Sequence, residues 1–153
     1  MRILRFAVCF AFVALLAAPA FAATTHTKPA PANVAPADEY FGRQKISTLG
    51  IDNMIRDTET RENYNPELAP RLYGALANAE DALEDWVHKY PHDSWIPKRA
   101  YLLSHLFWRM HTPEASAAAQ RCRSVLFVYF PKNRYASLAH KESEATYAPT
   151  AVK

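Results

Sequence analysis

Upstream of Pro91, apolar side chains recur at Leu68, Leu72, Leu76, Ala79, Leu83, Trp86 and Tyr90, at steps of four, four, three, four, three and four. Only an α-helix brings such a series to one face, because helical residues advance by 100° whereas a strand alternates sides at every residue. Asn65 supplies an N-cap, and Pro66 sits at the first helical position, where its missing N–H is no loss. Tyr90-Pro91 ends the run, since proline drives the residue before it out of helical geometry. The spacing predicts a helix over 66–89 whose apolar face must be covered by other elements.

The same grammar continues downstream. Ser94 offers a cap for a helix carrying Ile96, Ala100, Leu103, Phe107 and Met110, and Tyr101, Leu102, Leu106 and Trp108 widen its apolar stripe. A helix apolar around so much of its circumference is expected at the centre, covered on two sides. Thr112-Pro113-Glu114 starts another, with Ala115, Ala118, Ala119, Cys122, Leu126 and Tyr129 at helical spacing and Phe130-Pro131 at its end. Asn133 then caps a shorter segment holding Tyr135, Ala136, Leu138 and Ala139. Upstream, residues 40–58 are amphipathic through Ile46, Leu49, Ile51, Met54 and Ile55. Gly50 marks a break there, because an interior glycine costs about 1 kcal/mol relative to alanine. Residues 58–65 read as a polar loop. With no strand alternation or hairpin signal, the fold class is all-α.

The flanks have a different composition. Of the first 22 residues, 19 are hydrophobic, against an ordinary globular fraction in the rest. Arg2 and Arg5, an apolar run from Phe6 to Ala18, then Pro19 and Ala20-Phe21-Ala22 have the order of a secretory signal peptide over 1–22, cleaved near Ala22. The run is too short to span a bilayer, so no stable membrane insertion is expected after cleavage, and the chain is expected to be periplasmic or secreted. Residues 23–37, rich in Ala, Thr and Pro, read as a disordered tether, 38–144 as the helical domain and 145–153 as a tail. The exported part has 16 basic and 15 acidic residues and no cationic block, which argues against nucleic acid as a partner. It keeps one cysteine, Cys122, so it has no internal disulfide.

Tyr90-Pro91-His92-Asp93-Ser94 and Phe130-Pro131-Lys132-Asn133 begin two units 40 residues apart, each an aromatic-proline, a polar turn and a helix cap. Ala100 and Ala139 follow Ser94 and Asn133 by six residues, and the helix between the units is lined with small alanines. Over about 68–139 the chain resembles tetratricopeptide-like helical repeats, especially those of periplasmic outer-membrane β-barrel assembly lipoproteins and cell-envelope coordinators. Their lipid-attachment cysteine has no counterpart here. The resemblance implies stacked antiparallel helical hairpins, about one and a half to two repeats plus an N-terminal helix, and a non-enzymatic protein-binding scaffold or adaptor. It transfers no catalytic residue.

The residues themselves offer little chemistry. Glu80, Asp81, Glu84 and Asp85 form an acidic ridge on the solvent side of the long helix, either a solvated face or a docking face for a basic partner. Asp85-Trp86-Val87-His88 has one copy of a carboxylate-x-x-His spacing that di-iron bundles need twice, so no metal is expected. Thr24-Thr25-His26 would chelate copper only if the signal were cut after Ala23. His88 and His92 lie either side of a helix end, and His105 and His111 read as polar-face and helix-end residues. Cys122 lies on the apolar stripe, an inert buried thiol rather than an intermolecular disulfide. With three glycines and no nucleophile accompanied by a histidine and an acid, neither an enzyme nor a cofactor is expected. The partner-binding candidates are Tyr73, Glu80, Glu84, Trp95, Tyr101 and Trp108, aromatics and acids that could meet a protein or peptide in the cell envelope. With so few repeats, a second copy could cover a terminal face, giving a homodimer. The alternative is a stand-alone bundle holding a small ligand or metal ion in its interior.

Overall fold

The computed structural model describes residues 33–147, and side chains over 33–143. The signal peptide, its cleavage site, the copper motif and most of the tether lie outside the described residues, as does the end of the tail. Within them the chain is all-α apart from one small hairpin, β1 (Tyr40–Phe41) paired antiparallel with β2 (Ile46–Ser47). Five helices follow: α1 (Thr48–Tyr64), α2 (Ala69–Lys89), α3 (Ile96–Arg109), α4 (Pro113–Tyr129) and α5 (Arg134–Tyr147).

Four expectations need correction. Residues 40–47 form the hairpin rather than a helix, and α1 runs through Gly50 without a break to Tyr64, across the stretch expected as a loop. Its buried face is Ile51, Ile55, Thr58 and Glu62, a helical series whose second half is written in polar letters. Ser94 does not cap α3. α3 has no side-chain cap; the neighbouring Asp93 holds the turn that leads into it, its Oδ1 accepting the Trp95 N–H at 3.0 Å and its carbonyl the Ile96 N–H at 3.1 Å. Upstream of the hairpin, Val34 and Ala35 are half-buried.

The remaining boundaries follow the sequence. Asn65 Oδ1 caps a short 3₁₀ turn, Pro66–Leu68, ahead of α2. Thr112 caps α4, and Tyr90 and Phe130 close α2 and α4 in near-identical conformations, φ −132° and −133°. Asn133 Oδ1 accepts the Tyr135 N–H as Asp93 Oδ1 accepts the Trp95 N–H, each residue two beyond a proline in its turn. That match sets Asp93, not Ser94, against Asn133, so Ala139 corresponds to Arg99 rather than to Ala100.

Each helix packs on the next in sequence and on the one after that, α1 on α3, α2 on α4 and α3 on α5. α3 therefore meets all four others, the central place its apolar circumference demanded. Leu76, Leu83, Trp86, Ile96, Leu103, Phe107 and Leu126 form the middle of the core. α1 and α3 run parallel, pinned by Asp52–Arg99 near their starts and Glu62–Arg109 near their ends. The pins are ten residues apart on both helices, about 15 Å of helix each.

Candidate functional site

The turn between α2 and α3 builds a polar centre under an exposed surface. Asp93 is fully buried. Its Oδ2 accepts the Trp86 indole N–H at 3.0 Å and, from 58 residues upstream, the Ala35 backbone N–H at 2.9 Å. With the Trp95 N–H on Oδ1, this carboxylate gathers the end of α2, the start of α3 and the incoming chain at one point.

Arg99, one turn into α3, lies beside it. Its guanidinium carbon is 5.2 Å from the Trp86 ring and 5.3 Å from the Trp95 ring, a cation held by two indoles. Nη1 donates to the Trp95 carbonyl at 2.8 Å, Nη2 pairs with Asp52 of α1, and the buried Nε has no protein partner. The aromatic face that covers Arg99 is itself open, since Trp95 is 59% exposed and Leu49, across from it at the start of α1, 65%. Between them lies a groove of about 350 Å³ lined by Val34, Leu49, Asp52, Asp93, Trp95 and Arg99. Its lining carries two carboxylates against one guanidinium. Apolar walls and buried polar groups that receive a main-chain N–H are the makings of a peptide-binding groove.

The six candidates chosen from the sequence do not converge. Trp95 alone lines this groove. Tyr73 packs its ring on Phe107 at 5.7 Å, and Trp108 lies under the Arg123 guanidinium at 5.0 Å, both half-buried. Tyr101 packs its ring, tilted by 35°, on Tyr135 and donates its hydroxyl to the Glu142 carboxylate, which pushes its pKa up to about 12. Glu80 is not on a solvent face, because α4 covers that flank of α2 and Arg121 grips both its oxygens at 2.7 and 2.9 Å. Glu84 is exposed, on the rim of a second groove of about 300 Å³ between α2 and α4, floored by Leu83 and Val125.

The rest of the acidic ridge is engaged within the chain. Asp81 accepts the Arg43 backbone N–H at 2.8 Å and Asp85 the Gly42 N–H at 2.9 Å, so the two carboxylates hold the β1–β2 turn on α2. That N–H, with Lys89 at 3.1 Å, holds the Asp85 carboxyl below its usual range. Cys122 is buried as expected, and burial pushes its thiol up. Among the described residues no three His, Cys, Asp or Glu side chains are grouped to hold a metal ion, and no helix is long and apolar enough to cross a membrane.

Asp52, Asp93, Arg99 and Leu49 were missed. The usable signal was the shared Pro-x-Asx of the two turns, which singles out Asp93 as the counterpart of Asn133. Compared with protein families, characterised proteins and solved structures, the chain has no match.

Proposed function

We propose that this chain is a non-enzymatic helical scaffold of the cell envelope that binds an extended segment of a protein partner in the Trp95–Leu49 groove. One observation carries the proposal: Asp93, at the back of the groove, already takes the backbone N–H of a segment distant in sequence, at Ala35. The Ala35 main chain lies in the groove without covering Trp95 and Leu49, whose exposed side chains remain free to take a partner segment.

The tetratricopeptide-like reading supports the same conclusion. Polar contacts between alternate helices join residues at offsets of 47, 41 and 41, namely Asp52–Arg99, Glu80–Arg121 and Tyr101–Glu142. The last two offsets lie close to the 40-residue spacing of the two Pro-turn units on which the repeat reading rests. Export to the periplasm, from the signal-like first 22 residues, belongs to the same proposal.

The test is crosslinking in envelope extracts with wild-type chain and a Leu49→Ala, Trp95→Ala double variant. Both side chains are mostly exposed, so the variant should keep its fold, which melting verifies. The proposal expects the wild-type adduct to vanish in the variant. An adduct of undiminished yield would move binding elsewhere on the molecule.

A further inference from the structure

We propose that the partner segment is a proline-containing peptide with a lysine or arginine next to the prolines, lying across Trp95 with its cation toward Asp52. This rests on the groove being the binding site and specifies what fills it.

Three features of the lining select this chemistry. Trp95 keeps 59% of its surface open, while Arg99 occupies its stacking partnership with Trp86 from within. An open indole beside an aliphatic wall, here Leu49, suits the pyrrolidine ring, and proline enters already extended, so little conformational entropy is lost on docking. Next, the main-chain N–H groups that the groove accepts go to Asp93, already committed to Ala35, Trp86 and Trp95. A second segment finds few acceptors for backbone N–H groups, and proline brings none. Finally, the charges do not balance. Asp52 and Asp93 set two carboxylates against the single guanidinium of Arg99, which pairs with Asp52, so the lining carries one negative charge in excess. Asp52 keeps 39% of its side chain exposed at the mouth, where a ligand cation can approach it.

The test is an NMR titration of the intact chain with the blocked peptide Ala-Lys-Pro-Ala-Pro-Ala, read at the Trp95 indole and Leu49 methyl resonances. Saturable shifts at both are expected, with a glutamate-for-lysine peptide weaker by about tenfold. Leu49→Ala should weaken the Trp95 shift, and Trp95→Ala should abolish the Leu49 shift. No shift at millimolar peptide, or equal binding of the two peptides, overturns the proposal. The chain's own residues 28–32 read Lys-Pro-Ala-Pro-Ala. Binding that appears only after Lys28→Glu, Pro29→Gly and Pro31→Gly replacement would therefore overturn an external partner and assign the groove to the chain's own segment. A silent peptide with a groove-dependent adduct in extracts would remove this peptide class and leave the scaffold standing.

Discussion

The Asp93 carboxylate and the Trp86 indole N–H meet at 3.0 Å with both side chains buried, Trp86 at the last turn of α2 and Asp93 at the threshold of α3. The same oxygen holds Ala35. Asp93→Ala would strand three N–H donors, two of them backbone groups, in or near the core. The expected loss is about 3 kcal/mol or more, since each unsatisfied buried group costs roughly 1–3 kcal/mol. Urea unfolding measures it, and Ser94→Ala, at the cap expected from sequence, should change stability by less than about 0.5 kcal/mol.

Two glycines should respond to alanine with opposite signs. Gly42 has φ +68°, and a Cβ there would lie 2.8 Å from Asp81 Oδ2 and 2.9 Å from the Ala82 backbone. Gly42→Ala is expected to destabilise by more than about 1 kcal/mol. Gly74 is in α2 with open space where a Cβ would go, so Gly74→Ala should stabilise by about 0.5–1 kcal/mol. Thermal or urea melts of both variants decide it.

How much of this was legible depends on which interactions were local. α2, α3 and α4 were readable because their apolar steps of three and four and their flanking prolines are short-range properties. The α1 extension was not, because Thr58 and Glu62 complete its buried face with polar side chains, Glu62 pairing with Arg109 of α3. The hairpin was invisible for a related reason. Its ladder is two residues long, and Asp81 and Asp85, about 40 residues away, hold its turn. Glu80 looked solvent-facing until α4 supplied Arg121. At the groove, Trp95 was legible as an aromatic, whereas Asp52 and Arg99 became a pair only when α1 lay beside α3.

Acid and base should act on two carboxylates in opposite directions. Burial holds the Glu62 carboxyl above its ordinary 4.5, although Arg109 lies 3.3 Å away. The folded state thus binds that proton more tightly than the unfolded state, and the Glu62 contribution to stability declines as pH rises from 4.5 through the folded value. Asp85 is held below its ordinary 3.8, chiefly by the Gly42 N–H, so its contribution is present above 3.8 and lost as pH falls through the folded value. Glu62→Gln should therefore be at least as stable as wild type at pH 7 and lose that standing in acid. Asp85→Asn should be less stable at pH 7, with the gap closing in acid. Stability curves from pH 3 to pH 8 check both.

Two tryptophans at the two ends of one turn should differ sharply. Trp86 is almost fully buried between Phe41, at 5.3 Å, and Arg99, so Trp86→Ala is expected to cost about 3–5 kcal/mol. Trp95 touches Arg99 from outside, and Trp95→Ala should cost no more than about 1 kcal/mol. A large loss at Trp95 would make it a structural side chain and deprive the groove of its free aromatic wall.

Cys122 should resist thiol reagents until the chain unfolds. It is 2% exposed, and its raised pKa leaves almost no thiolate at neutral pH. Labelling with an aromatic disulfide should follow the unfolding curve across a urea series. Rapid labelling in native buffer, or a disulfide-linked dimer removed by Cys122→Ser, would show an accessible sulfur.

The groove is tested most directly by photo-crosslinking in envelope extract, with a photoreactive residue at Leu49 and, as control, at Gly74. The account predicts a discrete polypeptide adduct from position 49 that is absent or several-fold weaker from position 74. Equal yields from the two positions, or no adduct from position 49, would contradict it.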